Sequence, residues 1–506
     1  MPLTTSSPAK TKQVSVLKGA FIYVMMRWMD RLVGFASTLI LARWLVPADF
    51  GIIAMTSLVI GIADVLLDLG VNVALIQNPS PTPAHYNTAW TLRMMQACCT
   101  VLIVSLIAPY AGDYFHDPRI VPVLRIACLG ALLAAMENIG VITFQKEMRA
   151  DLDFLLTFVK RISGFIATVI LAWKFQSYWA LVFSTLFGRA VGIVMSYCLH
   201  PMRPRFSVEK FRDIFGVSQW MLVNSIGNYI NNNLHRTLVG RWTNATTMGG
   251  YTLSDEISSM PSTEILAPLN RILFPTFVRA KNDPVELKRN FLLAQGLQCL
   301  IAIPASLGLA LVAHTMVFVL LGEKWMMVVP FVQILALTNI VQAISTSTAY
   351  ILLSLGKNRN ATFTTWTQVT LFAAVALLVL HHPQALELAW LRLACVGSGL
   401  LVALGMLMQT MRNVSLFDML RNVYRPGVGA LVMAGVIHVV EPLIPSTPAV
   451  ILVATIIAGA LAYTLTVLAA WTLAGRPQGA ESYIVEKIAG VLKRRAMAKL
   501  DGVTES

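Results

Sequence analysis

Between residues 224 and 236 an otherwise apolar stretch carries Asn224, Asn228, Asn231, Asn232, Asn233, His235 and Arg236. Asn224, Asn228, Asn231 and His235 stand at i, i+4, i+7 and i+11, which is one face of an α-helix. Amide side chains both donate and accept hydrogen bonds, so such a stripe suits a solute rich in hydroxyls. Other apolar stretches hold Arg27 and Arg31, Arg125, and Arg189. A guanidinium fork matches phosphate oxygens two at a time. Acidic residues are fewer: Asp30, Asp64, Asp255 and Glu256. These four are candidates for binding a driving H+ or Na+. The plainer alternatives are helix-to-helix hydrogen bonding by the asparagines, worth about 0.6 kcal/mol each, and pairing of Asp30 with Arg27 three residues before it. One or two asparagines would fit that glue. Five, with His, Arg, Asp and Glu alongside, fit a wet cavity better.

Nothing in the pattern suggests bond-making chemistry. The six cysteines (98, 99, 128, 198, 299 and 395) lie in apolar runs without CxxC or His/Cys ligand spacing, so packing is expected of them, and no disulfide, metal or cofactor. No catalytic residue is assigned.

The elements that must carry these side chains follow from composition. Of 506 residues 56% are hydrophobic and 13% charged, with a mean hydropathy of +0.68. A soluble domain carries about 25% charged residues, so a soluble, disordered or disulfide-stapled chain is excluded. Fourteen runs approach the roughly 20 apolar residues that span a bilayer: 19–42, 50–70, 86–109, 119–144, 154–173, 178–199, 215–238, 248–274, 289–313, 327–353, 361–380, 384–409, 426–444 and 449–473. The expected fold is an all-α polytopic membrane protein of about 14 helices. The polar start, 1–18, runs into the first span with no cleavage site and is expected to be a cytoplasmic tail.

The net charge of +14 has a topological reading. With both ends in the cytoplasm, about 24 Lys and Arg fall on that side, and only Arg43, Arg119, Lys174, Arg241 and Lys324 on the other. That asymmetry makes nucleic acid an unneeded partner. It leaves the basic residues inside the spans unexplained, each costing about 2.5–3.5 kcal/mol on insertion scales. The basic tail, 474–506, includes Tyr483–Leu500, readable either as an amphipathic helix on anionic lipid or as a solvated tail.

The chain also repeats itself. Leu41-Ala42-Arg43-Trp44 with Phe50-Gly51 aligns with Val239-Gly240-Arg241-Trp242 with Met248-Gly249, 198 residues on. Val121-Pro122 through Leu129 aligns with Val329-Pro330 through Leu337, 208 residues on. Two six-helix units are therefore expected, 19–199 and 215–409, joined by a cytoplasmic linker, 200–214, and followed by two further helices within 410–473. Such parallel repeats are an alternating-access design.

The run Leu41-Ala42-Arg43-Trp44-Leu45-Val46-Pro47-Ala48-Asp49-Phe50-Gly51 resembles the LARxLxPxDFG signature of polysaccharide flippases. These are the Wzx-type, polysaccharide transporter branch of the multidrug/oligosaccharidyl-lipid/polysaccharide (MOP) exporter superfamily. Ala74-Leu75-Ile76-Gln77, Leu238-Val239-Gly240-Arg241 and Leu321-Gly322-Glu323-Lys324-Trp325 resemble further family motifs, so the likeness covers about residues 15–480. It implies a V-shaped two-lobed transporter in the bacterial inner membrane. That transporter moves undecaprenyl-diphosphate-linked oligosaccharide for exopolysaccharide or lipopolysaccharide biosynthesis, among membrane lipids, without making or breaking a bond. It also implies a polysaccharide polymerase and chain-length proteins as partners. Many relatives carry Asp where this chain has His235, so no acidic coupling residue is carried over to that position. Pro47, Asp49, Gly51, Gly322, Lys324 and Trp325 are expected to shape turns rather than touch substrate.

On this reading Arg27, Arg31, Arg125 and Arg189 hold the diphosphate, and Asn224, Asn228, Asn231, Asn232 and His235 hold the glycan. Asp30, Asp64, Asp255 and Glu256 couple to a cation. The alternatives are an exporter of peptidoglycan precursor or of a small organic solute, or a membrane polysaccharide polymerase. A polymerase would need a large extramembrane loop, which the sequence lacks. Arg-bearing spans disfavour organic cations, because like charges repel.

Overall fold

The structure, a computed structural model, describes residues 8–490 except 69, 148, 216–218, 381–382 and 488. Among the described residues every regular element is helical. The chain divides into two compact units, residues 1–252 and 253–506.

The first unit contains α1 (Pro8–Trp44), α2 (Pro47–Leu67), α3 (Val71–Gln77), α4 (Pro83–Tyr114), α5 (Ile120–Ala127), α6 (Leu129–Met136), α7 (Ile142–Lys146), α8 (Ala150–Phe175), α9 (Trp179–Leu199), α10 (Phe211–Phe215), α11 (Gln219–Trp242) and the first half of α12 (Ala245–Met260). Several starts are legible locally. Pro47 and Pro83 occupy first-turn positions, where the missing N–H costs nothing. Asp49 accepts the Val46 N–H at 3.1 Å, closing the α2 entry. Helices α8 and α9 lie closest where Gly164 and Gly188 meet: a Cβ on Gly188 would stand 3.3 Å from the Gly164 Cα. The apolar centre under α3 and α4 is built from Val71, Leu75, Leu92 and Ile139.

The second unit holds α13 (Ala267–Ala280), α14 (Pro284–Leu311), α15 (Ala313–Leu320), α16 (Val329–Ser354), α17 (Asn358–Ala374), α18 (Ala385–Thr410), α19 (Leu416–Leu443) and α20 (Pro448–Leu473). Its core gathers Leu273, Phe277, Phe291, Ile351 and Leu407. Asp283 caps α14 by accepting the Val285 and Glu286 N–H groups. Gly322, at φ 96°, turns the chain into a 3-10 segment that seats Trp325 fully inside. The family-like motifs at Asp49 and Gly322 thus do shape turns.

Large apolar side chains face outward on both units, among them Tyr110, Trp173, Leu401 and Leu431, each at least 70% exposed. A bilayer is the solvent that such surfaces require, and the molecule is a multi-pass membrane protein. Among the described residues ten helical segments are long and apolar enough to cross, and the bent pair 120–136 and 139–146, counted as one span, makes an eleventh. The three other predicted spans, 19–42, the described part of 215–238, and 248–274, are also helical but do not qualify on apolarity and length. The middle of α1 carries Arg27, Asp30 and Arg31, α11 carries its amides, and 248–274 is split into α12, a π-helical turn at 261–265 and α13. The count of fourteen therefore rests on hydropathy joined to topology.

Among the described residues all six cysteines are free. Cys128, Cys299 and Cys395 pack inside, whereas Cys98, Cys99 and Cys198 lie on the surface, a correction to the expectation that all six would be packing residues. Small apolar thiols are tolerated on either side of a helix that faces lipid. The segment 480–487 is helical, and its Glu481 forms a buried ion pair with Arg425 at 2.9 Å. This part of the basic tail docks on the second unit. Residues 491–506 lie outside the described residues.

Candidate functional site

The first unit gathers the four arginines assigned to a phosphate, the asparagine stripe, and two of the four acidic residues. Its geometry grows from a broken helix. The predicted span 119–144 is really α5, α6, a 3-10 turn and α7, with a 65° bend between 120–136 and 139–146. At the break the backbone is extended at Glu137 and Asn138, so orphan carbonyl and amide groups need partners inside a membrane. Arg93 of α4 donates to the Ala134 carbonyl at 3.0 Å. Lys160 of α8 pairs with Glu137 at 2.7 Å. Asn138, fully buried, donates to the His200 and Met202 carbonyls at 3.2 and 2.8 Å and accepts the Gly140 N–H at 2.9 Å.

This scaffold positions Arg189 of α9, whose guanidinium lies over α6: a Cβ on Gly130 would stand 2.8 Å from its Nη1. The charges acting on Asp64 of α2 are Arg189 and Asp68. Asp64 and Arg236 in turn act on Tyr229, which donates to the Leu58 carbonyl at 2.6 Å and ties α11 to α2. The fold therefore brings Asp64, Arg189, Tyr229 and Arg236 into one neighbourhood. Asp30 of α1 joins a second one: it pairs with Arg161 of α8 at 3.0 Å, with both side chains close to half exposed. Arg27 and Arg31 lie on the same helix, partly exposed.

Other predicted residues are distributed as follows. Arg125 is exposed on α5, and Asn228 and Asn232 are exposed on α11, with Asn231 and Asn233 half-buried. The side chain of Asn224 lies outside the described residues. His235 departs from the stripe: it is 2% exposed, its ring 5.7 Å from that of Tyr251. A ring buried against an aromatic is placed for packing more than for a hydrated glycan. Asp255 and Glu256 belong to the second unit, the former half-buried and the latter exposed. Among the described residues no cluster of three His, Cys, Asp or Glu side chains is arranged to hold a metal ion.

Four charged residues were missed: Arg93, Glu137, Lys160 and Arg161. Each stands within a predicted span, so the rule that flagged Arg189 also applies to them. Outside the spans, burial lowers the pKa of His200; the charge of Glu147 opposes that and the charge of Arg203 adds to it.

Residues 40–330 match the model of a family described as "Polysaccharide biosynthesis protein". The chain is 25% identical over 319 residues to the "Lipopolysaccharide biosynthesis protein WzxC" of Escherichia coli K12, a match covering 62% of this chain and 64% of that one. It is 23% identical over 307 residues to the "Succinoglycan biosynthesis transport protein ExoT" of Rhizobium meliloti, covering 60% and 62%. A "Lipid II flippase MurJ, inward closed conformation" has the same fold at a TM-score of 0.70 and 10% identity, covering 89% of this chain and 99% of that one. An inward-facing multidrug resistance MATE transporter of the MOP superfamily follows at 0.59 and 13%, covering 76% and 96%.

Proposed function

Because this chain belongs to the polysaccharide biosynthesis protein family, we propose that it is a flippase carrying a lipid-diphosphate-linked oligosaccharide repeat unit across the bacterial inner membrane. The observation that carries this reading is the content of the first unit: a positively charged neighbourhood and an amide-bearing helix face within one compact body. Arg27, Arg31, Arg125 and Arg189 would hold the diphosphate, with Arg161 held in check by Asp30. Asn228, Asn231 and Asn232, with Asn224, would hold sugar hydroxyls, and the prenyl tail would stay in lipid. Arg–phosphate forks and amide–hydroxyl bonds suit the two ends of such a headgroup. His235 keeps only a supporting part.

The basic-residue asymmetry supports cytoplasmic termini. Coupling to H+ or Na+ would use Asp30 and Asp64 in the first unit and Asp255 and Glu256 in the second. The two sequence repeats, 19–199 and 215–409, would be the halves that exchange conformation. The names of WzxC and ExoT support a polysaccharide cargo; a polymerase and chain-length proteins are the partners that the flippase reading itself calls for. No bond need change in this step, so the protein acts as a transporter, not an enzyme.

The test is a strain lacking the protein. Lipid-linked repeat units should accumulate on the cytoplasmic leaflet and return to the outer leaflet on complementation. Units that reach the outer leaflet without the protein would overturn the reading. Arg189→Ala and Arg27→Ala proteins that insert stably yet export normally would overturn the phosphate assignment alone.

A further inference from the structure

Helices α2 and α12 begin at Pro47 and Ala245 and touch within their first turns, backbone against backbone. A Cβ on Gly51 would strike the Ala245 carbonyl, with its carbon at 2.6 Å. A Cβ on Gly249 would strike the Pro47 carbonyl oxygen and stand 2.8 Å from the Gly51 nitrogen. All four residues are buried. The contact is reciprocal: 47 meets 249 and 51 meets 245. Pro47 and Ala245, like Gly51 and Gly249, are 198 residues apart, the offset of the internal repeat. Two copies of one helix start therefore meet each other in the manner of a two-fold interface. Small residues four apart allow this approach between membrane helices, and a carbonyl has no rotamer with which to yield.

A separate contact holds the same elbow. Arg241, at the end of α11, donates to the Tyr114 carbonyl at 2.6 Å and lies 4.9 Å over the Tyr114 ring. Its neighbour Gly240 packs on Phe115, where a Cβ would come within 2.8 Å. Arg43, the repeat counterpart of Arg241, is exposed.

We infer that the Gly51–Gly249 crossing, clasped by Arg241, is a seal that closes one face of the transport path and must part once per cycle. The inference rests on the flippase reading and adds the site of closure. It puts the seal on the face that the basic residues avoid, at the ends of the α1–α2 and α11–α12 elbows. Asn228, three turns back along α11 and exposed, lies behind it.

The test uses the full chain with native cysteines replaced and Asn228→Cys as reporter, labelled from outside intact cells by a membrane-impermeant maleimide. Gly51→Ala and Gly249→Ala should each raise the labelling rate about ten-fold by shifting the population toward the open form. The double variant should add little, since either substitution breaks the same crossing. Arg241→Gln, which leaves the backbones alone, should raise it less. Gly435→Ala, with nothing within 4 Å of its Cβ, is the control for an added methyl in a helix. Parent-rate labelling in inserted glycine variants would overturn the inference. If those variants fail to insert, parent-rate labelling of Arg241→Gln would overturn it. Raised labelling in the glycine variants, when the parent chain with Asn228 intact moves no lipid-linked glycan, would keep the seal and sink the flippase reading.

Discussion

Removing Glu137 should cost more than removing its partner Lys160, and the difference can be worked from the helix break. The pair is 2.7 Å apart, with the carboxylate side chain 13% exposed and the ammonium 36%. Fully buried pairs lose about 3–5 kcal/mol when one partner goes, and exposed ones about 0–1. This pair lies between, because one side chain is nearly buried and the other about a third exposed. The charge of Glu137 also acts on Arg93, so Glu137→Gln takes a negative charge from two cations. Lys160→Gln leaves Glu137 beside Arg93. The expected losses are about 2–3 kcal/mol for Glu137→Gln and about 1 for Lys160→Gln, with a coupling energy near 1 kcal/mol in the double variant. Titration of purified protein with SDS in mixed micelles would measure all three. Transport should fall with Glu137→Gln beyond what protein amount explains, because Arg189 rests on the helix that the pair anchors. Equal losses for the two single variants, or zero coupling, would refute the argument.

Other outcomes follow from the same physics. Arg425→Met should destabilise the second unit by roughly 3–5 kcal/mol, since Glu481 is stranded at 9% exposure. Adding Glu481→Leu should recover most of that, read by protease resistance of the C-terminal segment. His200, its pKa lowered chiefly by burial, binds fewer protons folded than unfolded. Its contribution is complete above its ordinary value near 6.5 and is lost as pH falls below it; unfolding between pH 7.5 and 5.5 should show this slope, flattened in His200→Asn. Gly322→Ala should cost about 1–2 kcal/mol because φ there is 96°, measured as lower thermal stability in detergent.

Much of the fold is decided by period and solvent preference, which are local. Apolar runs longer than a bilayer is thick can only be helices in lipid, and the Lys and Arg count then suggests their direction. The repeat and the charged residues inside spans are likewise visible in one dimension. The helix break at Glu137 is not, because the apolar run 119–144 continues across it and the bend is stabilised by groups from elsewhere in the chain: Arg93, Lys160, and the His200 and Met202 carbonyls that accept from Asn138. Nor is the fate of His235. Its i+11 spacing puts it on the asparagine face, but the ring of Tyr251 lies beside it.

The sequence by itself determined that this chain crosses a membrane many times, carries two short internal matches about 200 residues apart and holds charges that topology does not require. Those facts depend on hydrophobicity and spacing along the chain. Only the tertiary structure decided which charges neighbour one another, and that Gly51 and Gly249 meet. Both depend on close approach between segments tens to hundreds of residues apart, and such contacts are set by packing across helices, not by the pattern within one.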